Sequence, residues 1–251
     1  MGELEGQVAL VTGAAGAGIG QACARRLAQE GAAVAVTDVH ERRMREVSQA
    51  LAKEFGPRVV GYLLDVADRA ACDRVIAEVE RTQGPIDILV NNAAINILGP
   101  VSEYQPEDWD RVLDVDLTAC FYLARRVLPG MKQRERGSIV NVTSVAGYLH
   151  GSGRESPYGA AKAGLHALTR GIAFEAGPHG VRCNAVAPGI IWSKFVERFA
   201  QSFESAIDET PLRRFGTPED VANAVFWLCS EQSSFVTGET LNVSGGWYMR
   251  P

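Results

Sequence analysis

Short runs of apolar, mostly β-branched residues recur along the 251-residue chain, separated by stretches with helical periodicity. Within each run the apolar residues are nearly continuous instead of alternating with polar ones, which is typical of strands buried on both faces. Seven of these runs are predicted as strands: residues 8–12, 33–37, 59–65, 86–91, 138–142, 181–186 and 240–243.

The stretches between the runs carry apolar residues three or four positions apart, which is typical of helices packed on a core. In one of them Met44, Val47 and Leu51 recur at this spacing. Repetition of strand and helix along the whole chain predicts an α/β fold with a parallel, doubly wound sheet of about seven strands and helices on both faces. The length and the 46% hydrophobic content suit one domain, so we expect residues 1–251 to form a single Rossmann-type domain.

The segment between Pro188 and Pro211 breaks this rhythm. It carries four aromatic residues and is too long for an ordinary connection; they are Trp192, Phe195, Phe199 and Phe203. Either it forms a helical hairpin packed on the body, or it is a lid whose aromatic side chains line a pocket. Because it follows the carboxyl end of a strand, where open α/β sheets bind ligands, we favour a substrate lid over residues 189–212.

Composition favours small-molecule chemistry. The net charge of −5 gives no general attraction to nucleic acid or to anionic lipid. The sequence shows neither a signal-type leader nor an apolar run long enough to span a bilayer, so we expect a soluble, cytoplasmic protein without a membrane partner. The five cysteines are scattered and are expected to be buried thiols, and the dispersed histidines predict no metal site.

The first predicted strand ends in the glycine-rich run Thr-Gly-Ala-Ala-Gly-Ala-Gly-Ile-Gly over residues 12–20, and an amphipathic helix follows. Small residues let the backbone approach a pyrophosphate, and the helix N-terminus offers free N–H groups to it. Asp38 ends the next strand at the spacing of a group that binds the adenine ribose, where a carboxylate repels a 2′-phosphate. We therefore expect NAD, with NADP less favoured, although Arg42 and Arg43 could instead pair with a phosphate.

Tyr158 and Lys162 stand four residues apart in a predicted helix, which places both on one face. A tyrosine titrates near pH 10, so a neighbouring cation is needed to make the phenolate accessible near neutral pH. Ser144 follows the strand at 138–142 and offers a hydroxyl to a substrate oxygen. No nucleophile elbow is present, so Ser144 is interpreted as a hydrogen-bond donor instead of a nucleophile.

Together these motifs resemble the short-chain dehydrogenase/reductase family, of the 3-oxoacyl reductase or secondary-alcohol dehydrogenase type, from Gln7 to about Gly246. The resemblance implies a catalytic set of Ser144, Tyr158 and Lys162, with Asp116 at the position of the family's catalytic Asn. It implies cofactor contacts from Gly13, Gly18, Ile19, Gly20, Asp38, Asp65, Val66, Asn92, Ala93, Tyr158, Lys162, Pro188, Gly189, Ile191 and Ser193.

By the same resemblance, Tyr158 exchanges a proton with the substrate oxygen while a hydride moves to or from nicotinamide. Lys162 would bind the nicotinamide ribose and lower the pKa of Tyr158. The family commonly forms tetramers, and residues 108–131 and 157–177 are similar to the helices that pair across its two-fold axis. The apolar stretch at 245–249 is expected to pack on a neighbouring subunit.

Two departures from the family pattern stand out. Residues 14–17 place four residues, where the family usually has three, between Thr-Gly and Gly-x-Gly, so the turn is expected to bulge without loss of binding. Asp116 replaces the family's Asn, and we expect activity to survive because the backbone carbonyl of that residue is the group that holds the relay water in the family. An ionised Asp116 would also favour a charged Lys162.

The substrate is expected to be an apolar secondary alcohol or ketone of cyclic, aryl, steroid-like or 3-hydroxyacyl type, with oxidation favoured. His150, Trp192 and Phe195 are the expected substrate contacts, besides Ser144. The alternative is an NAD-binding regulatory or structural protein in which catalysis has lapsed, because a fold alone does not establish function.

Overall fold

Seven parallel strands form one sheet in the computed structural model, which describes residues 2–150, 153–192 and 207–249. The strands are β1 (Val8–Val11), β2 (Ala33–Asp38), β3 (Val59–Leu63), β4 (Ile88–Asn91), β5 (Gly137–Val142), β6 (Val181–Pro188) and β7 (Thr240–Val243). Their order across the sheet is β3-β2-β1-β4-β5-β6-β7.

Helices cover both faces of this sheet. Those within the described residues are α1 (Ile19–Gln29), α2 (Glu41–Phe55), α3 (Arg69–Thr82), α4 (Pro106–Leu113), α5 (Ala119–Gln133), α6 (Ser156–Ala176) and α7 (Pro218–Cys229). One apolar cluster joins α1, α2 and α7 to the sheet and includes Leu27, Leu51 and Val225. A second cluster on the other face joins α3, α5 and α6, with Ile76 and Leu123 among its members. The predicted doubly wound α/β fold is confirmed.

The strand order explains where a ligand can bind. From β1 the chain passes outward to β2 and β3, and then returns to place β4 on the other side of β1. Open α/β sheets bind ligands in the crevice that forms at the carboxyl ends of the strands where the order reverses. The residues that follow β1, β4, β5 and β6 all emerge at that edge, because the four strands are parallel.

The described residues confirm one smaller expectation. All five cysteines are buried thiols. No helix in the described part of the chain is long and apolar enough to cross a membrane. The lid expected over residues 189–212 lies partly outside the described residues, so it stays a prediction.

Candidate active site

The glycine-rich turn after β1 packs tightly against the residues that follow β4. Gly13 has a φ of +61°, and a Cβ atom there would lie 2.8 Å from the Cα atom of Ala93. A Cβ atom on Gly20 would lie 2.3 Å from the side-chain nitrogen of Asn92. Gly13 therefore requires glycine because of its positive φ and its packing, and Gly20 requires it because of packing alone.

The additional residue of the turn is accommodated by hydrogen bonds to the end of β2. The backbone N–H of Ala14 donates to the carbonyl of Thr37 over 2.8 Å, and that of Ala15 donates to Asp38 Oδ2 over 3.1 Å. Both alanines are buried, whereas Gly16 and Gly18 face open space. The bulge expected from the sequence is thus fixed on its inner side and accessible on its outer side.

The outer side of this turn fits a dinucleotide. Gly18 is the extended N-cap of α1, and no side chain among the described residues caps that helix end. Its first-turn N–H groups and the positive end of the helix dipole remain available to a pyrophosphate. Gly18 and Ile19 therefore lie at the uncapped end of α1, and the phosphate contacts expected of Gly13, Gly18, Ile19 and Gly20 stay a prediction.

Hydrogen bonds of Thr12 and Asn92 connect the end of β1 to the end of β4. Thr12 Oγ1 accepts hydrogen bonds from the backbone N–H groups of Asn92 and Ala93, over 2.9 and 3.0 Å. The Asn92 amide in turn donates to the carbonyls of Thr12 and Gly13, over 2.9 and 3.1 Å. Asn92 and Ala93 thus lie directly after β4, and the Asn92 side chain holds the glycine-rich turn. The contacts of both residues with the cofactor stay a prediction. No pattern in the sequence had indicated this role of Thr12.

Asp38 lies at the end of β2 with both carboxylate oxygens bonded to backbone. Oδ1 accepts from the N–H of His40 over 2.9 Å, and Oδ2 accepts from Ala15. Arg42, the competing phosphate ligand, forms an exposed ion pair of 2.9 Å with Glu46 on α2. This pairing places Arg42 on the solvated surface of α2.

The remaining predicted cofactor residues lie at neighbouring strand ends. Asp65 follows β3, accepts a hydrogen bond from Ala67 N–H over 3.0 Å and lies 3.4 Å from Arg111 Nη2. Val66 is buried beside it. Other residues extend β6 toward the crevice: Pro188 ends the strand, Gly189 N–H donates to the Val243 carbonyl over 3.0 Å, and Ile191 bridges to Gly216. Ser193 lies outside the described residues.

The catalytic helix α6 carries Tyr158 and Lys162 on one face. Lys162 Nζ lies 5.3 Å from the centroid of the Tyr158 ring and donates to the Val142 carbonyl at the end of β5 over 3.2 Å. The same ammonium lies 3.3 Å from Asp116 Oδ2. Lys162 is 2% exposed and Asp116 is 0% exposed, so the two charges form a buried ion pair.

A π-helical turn places the Asp116 carboxylate inside the protein. The segment Asp114–Thr118 joins α4 to α5 with π-helical bonding, and such turns are frequent at functional sites. Asp116 Oδ1 accepts a hydrogen bond of 2.8 Å from the Ile95 N–H in the segment after β4. One oxygen therefore holds this segment, and the other faces Lys162.

The charges of this group shift one another's titration. Burial raises the pKa of Asp116 above its ordinary value, against the opposing effect of Lys162 and the Ile95 N–H. Burial acts to lower the pKa of Lys162, but Asp116 and Tyr158 outweigh it and leave that pKa raised. The pKa of Tyr158 is raised by burial and by Asp116, while Lys162 and a hydrogen bond with Ser144 act to lower it. Lys162 is therefore held in its charged form beside the phenol.

Ser144 stands at the start of the short turn Val145–Gly147, directly after β5. Its Oγ accepts a hydrogen bond of 3.1 Å from the Ala146 N–H. Because Oγ uses an acceptor site in this bond, its hydroxyl proton stays available to donate to Tyr158 or to a substrate oxygen. The structure thus brings Ser144, Tyr158, Lys162 and Asp116 into one group.

Of the predicted substrate contacts besides Ser144, the structure describes Trp192 and His150. The Trp192 ring packs on Phe215 at 5.5 Å between centroids, and its backbone N–H donates to Gly216 over 2.7 Å. His150 is exposed at the end of the segment that follows Ser144. Phe195 lies outside the described residues.

The sequence analysis missed a buried amide network beneath the catalytic helix. Asn91 donates to Asn141 Oδ1 over 2.8 Å, and Asn141 donates to Thr169 Oγ1 on α6 over 2.9 Å. These bonds tie β4 and β5 to α6, and buried polar groups that are bonded in this way specify one arrangement of a core. Two Asn residues in apolar strands were the available signal.

Comparison with known proteins agrees with this geometry. A family model described as enoyl-(acyl carrier protein) reductase matches residues 13–248. The chain belongs to the short-chain dehydrogenase/reductase family. It is 39% identical over 244 residues to a 3-oxoacyl-[acyl-carrier-protein] reductase (FabG) of Thermotoga maritima, covering 97% of this chain and 98% of the relative. Members of this family are oxidoreductases that bind a nicotinamide dinucleotide.

Two further matches extend the comparison. A (5R,7aS)-5-hydroxy-7a-methyl-1-oxo-2,3,5,6,7,7a-hexahydro-1H-indene-carboxyl-CoA reductase of Mycobacterium tuberculosis is 41% identical over 246 residues, covering 97% of this chain and 94% of the relative. The crystal structure of gox2181 superposes with a TM-score of 0.93 at 32% identity, covering 97% of this chain and 96% of that one. The similarity therefore spans nearly the whole short-chain dehydrogenase/reductase fold.

Proposed function

We propose that this protein oxidises a secondary alcohol to a ketone with NAD⁺, yielding NADH and a proton, and catalyses the reverse reduction when the ketone and NADH are supplied. The observation that carries the proposal is the group of Tyr158, Lys162 and Ser144 at the carboxyl ends of the strands, with the ammonium of Lys162 beside the Tyr158 ring. A general base needs a reachable proton and a suitable pKa, and this group supplies the base, the charge that assists it and a hydroxyl to orient the substrate.

When bound, the nicotinamide supplies the hydride acceptor or donor. Tyr158 takes the proton from the alcohol oxygen during oxidation and returns it during reduction. Ser144 holds the substrate oxygen next to the phenol by a hydrogen bond. Lys162 stabilises the phenolate by its charge, and its bond to the Val142 carbonyl fixes the ammonium in place.

The preference for NAD⁺ over NADP⁺ is part of the proposal and rests on Asp38. Its carboxylate lies at the end of β2 and is tied to the turn that would hold the pyrophosphate. A 2′-phosphate beside this carboxylate would place like charges together, whereas ribose hydroxyls would donate hydrogen bonds to it. The pairing of Arg42 with Glu46 removes one cation that could have offset the repulsion.

The packing of Trp192 on Phe215 and the names of the relatives support an apolar substrate class. One relative is named for a 3-oxoacyl group on acyl carrier protein and another for a fused-ring carboxyl-CoA thioester. We propose an apolar cyclic, aryl, steroid-like or 3-hydroxyacyl secondary alcohol for this protein. We further propose that it acts as a cytoplasmic homotetramer.

One specific observation favours a second candidate, an NAD-binding protein in which catalysis has lapsed. The buried ion pair of Asp116 with Lys162 stands where the family has an uncharged Asn, and a lysine held in this way is less available to other partners. The two candidates differ in turnover. A lapsed protein binds NADH but forms none from any alcohol, and replacement of Tyr158 changes nothing.

The test is the formation of NADH or NADPH at mildly alkaline pH from 3-hydroxyacyl thioesters, steroid alcohols, cycloalkanols, aryl alcohols and polyols. Each substrate is assayed with NAD⁺ and with NADP⁺, and NADH binding is measured separately by fluorescence. Turnover with NAD⁺ supports the proposal and identifies the substrate group. NADH binding without turnover on any of these alcohols contradicts it and supports the lapsed binder.

A further inference from the structure

Three aromatic rings connect the catalytic helix to the end of the described chain. The Tyr148 ring stacks on His166 at 4.1 Å between centroids, with 16° between the planes. The same ring stacks on Tyr248 at 5.0 Å and 15°. Neither the proton transfer nor the cofactor site described above uses these residues.

His166 places this stack on the catalytic face of α6. Tyr158, Lys162 and His166 follow one another at intervals of four residues, so all three lie along one face of the helix. His166 is buried, and its Nδ1 lies 3.3 Å from the Tyr148 hydroxyl and 3.4 Å from Thr240 Oγ1. The ring of Tyr148 is therefore fixed by stacking and by a polar contact.

Tyr148 lies in the loop that carries Ser144. The N–H groups of Tyr148 and Leu149 both donate to the Val145 carbonyl over 2.9 Å. Gly147 lies against His166 so closely that a Cβ atom there would be 2.7 Å from His166 Nε2. The segment 144–149, which we name the serine loop, is thus compact and rests on α6.

Tyr248 is held by a turn that has bonds of its own. This turn, residues 244–248, has Gly245 and Gly246 at φ values of +64° and +87°. The Ser244 hydroxyl accepts from the Tyr248 N–H and donates to the Tyr248 carbonyl, both over 3.2 Å. The Tyr248 ring therefore reaches the serine loop from a fixed support. It packs within its own chain, and the packing of residues 245–249 on a neighbouring subunit stays a prediction.

The same turn also contacts the last residues of the expected lid, which the structure describes. Leu212 N–H donates to the Gly245 carbonyl over 3.1 Å, and Trp247 Nε1 donates to Glu209 Oε2 over 3.4 Å. Gly246 lies against Pro211, because a Cβ atom there would be 2.8 Å from Pro211 Cγ. One turn thus contacts both the segment 209–212 and, through Tyr248, the loop of the catalytic serine.

We infer that Tyr248 is a positioning residue, which through Tyr148 holds the serine loop on α6 and sets the place of the Ser144 hydroxyl relative to Tyr158. Aromatic pairs stabilise beyond the area that they bury, and a small displacement of a catalytic group lowers the rate strongly. The predicted effect on turnover rests on the proposed function. The placement of the loop can also be measured without turnover.

The experiment compares Tyr248→Ala, Tyr248→Phe and Met249→Ala in the full chain. The Phe variant keeps the ring, and Met249 is a neighbouring residue that is 73% exposed. The first readout is amide hydrogen exchange of the serine loop, measured by mass spectrometry. We expect faster exchange at residues 145–149 in Tyr248→Ala, and wild-type exchange in Tyr248→Phe and Met249→Ala, with the glycine-rich turn at 12–20 unchanged in all three.

The second readout is turnover with the best alcohol found for the wild type. We expect kcat to fall about tenfold or more in Tyr248→Ala, with the KM for the nicotinamide cofactor unchanged. We expect Tyr248→Phe to have the same turnover as the wild type. Wild-type exchange of the serine loop in Tyr248→Ala would overturn the inference. If the wild type itself turned over no alcohol while the loop loosened in Tyr248→Ala, the proposed function would fail and the positioning of the loop would stand.

Discussion

Asp116 Oδ2 lies 3.3 Å from Lys162 Nζ in the interior of the protein, and Asp116 Oδ1 accepts the N–H of Ile95. The pair connects the π-helical turn between α4 and α5 with the catalytic helix. A carboxylate at this place has an electrostatic effect on the base that an uncharged amide lacks, because both Asp116 and Tyr158 interact with the same ammonium. The departure from the family pattern is therefore expected to set the pH range of the enzyme.

Replacement of Asp116 by Asn should move the pH profile of alcohol oxidation. Asp116 raises the pKa of Tyr158, so its removal lowers that pKa and leaves Lys162 to act without a counter-charge. Oxidation needs the deprotonated phenol, so the acidic limb of kcat/KM against pH shifts to lower pH in Asp116→Asn. Asp114→Asn, in the same π turn but exposed, should keep the wild-type profile. A profile of Asp116→Asn that coincides with the wild type, or moves to higher pH, would contradict this account.

Removal of Lys162 should destabilise the fold as well as abolish turnover. Lys162→Met leaves the buried Asp116 without its charged partner, which typically costs about 3–5 kcal/mol. Urea unfolding measures the difference. Lys53→Met is the control, because Lys53 is exposed on α2, where substitutions usually change stability by less than about 0.5 kcal/mol. The double variant Asp116→Asn with Lys162→Met should recover part of the stability, and no recovery would show that the pair is not the origin of the loss.

Replacement of Asp38 by Ala should weaken the preference for NAD⁺. The change removes the carboxylate that would repel a 2′-phosphate, and also the acceptor that holds Ala15 N–H in the glycine-rich turn. We expect the ratio of kcat/KM for NAD⁺ to that for NADP⁺ to fall about tenfold or more, since tenfold corresponds to about 1.4 kcal/mol. Asp68→Asn, at the exposed N-terminus of α3, should keep the wild-type ratio. An unchanged ratio in Asp38→Ala would remove Asp38 from the choice of cofactor.

The apolar surface of α5 and α6 should carry a subunit contact. Phe174 on α6 is 89% exposed and Phe121 on α5 is 49% exposed, beside a groove lined by Leu128 and Leu168. Exposed aromatic residues beside a groove of this kind mark protein interfaces. We expect wild-type protein to run as a tetramer in light scattering, and Phe174→Glu to dissociate into smaller species. Leu63→Glu on the edge strand β3 should remain tetrameric, and a monomeric wild type at micromolar concentration would refute the assembly.

Much of the fold was predictable because a buried parallel strand has a local signature. The run at 240–243 coincides with β7, and the run at 138–142 lies within β5. The ends were less predictable. The run at 86–91 begins before β4, because Ile86 is buried although it precedes the strand. Apolar character indicates burial, and a buried residue need not pair in the sheet.

The proximity of the proposed catalytic residues was predictable from spacing, but their partners were not. Tyr158 and Lys162 lie four residues apart in one helix, so local geometry brings them together. The contact of Lys162 with Asp116 joins residues that are remote in sequence, and it depends on a π turn whose formation has no simple sequence signal. The stacking of Tyr248 on Tyr148 is equally remote and depends on how the turn at 244–248 folds back.

The central claim is that Tyr158 is the acid–base group of a hydride-transferring enzyme. The decisive measurement is the rate of NADH formation from the best alcohol, compared between the wild type and Tyr158→Phe. Tyr62→Phe is the control, because the Tyr62 hydroxyl forms an exposed hydrogen bond with Thr82 Oγ1. We expect Tyr158→Phe to lose about 10²–10⁴-fold in turnover while still binding NADH, and Tyr62→Phe to keep turnover close to that of the wild type. Equal rates in the wild type and Tyr158→Phe would contradict it.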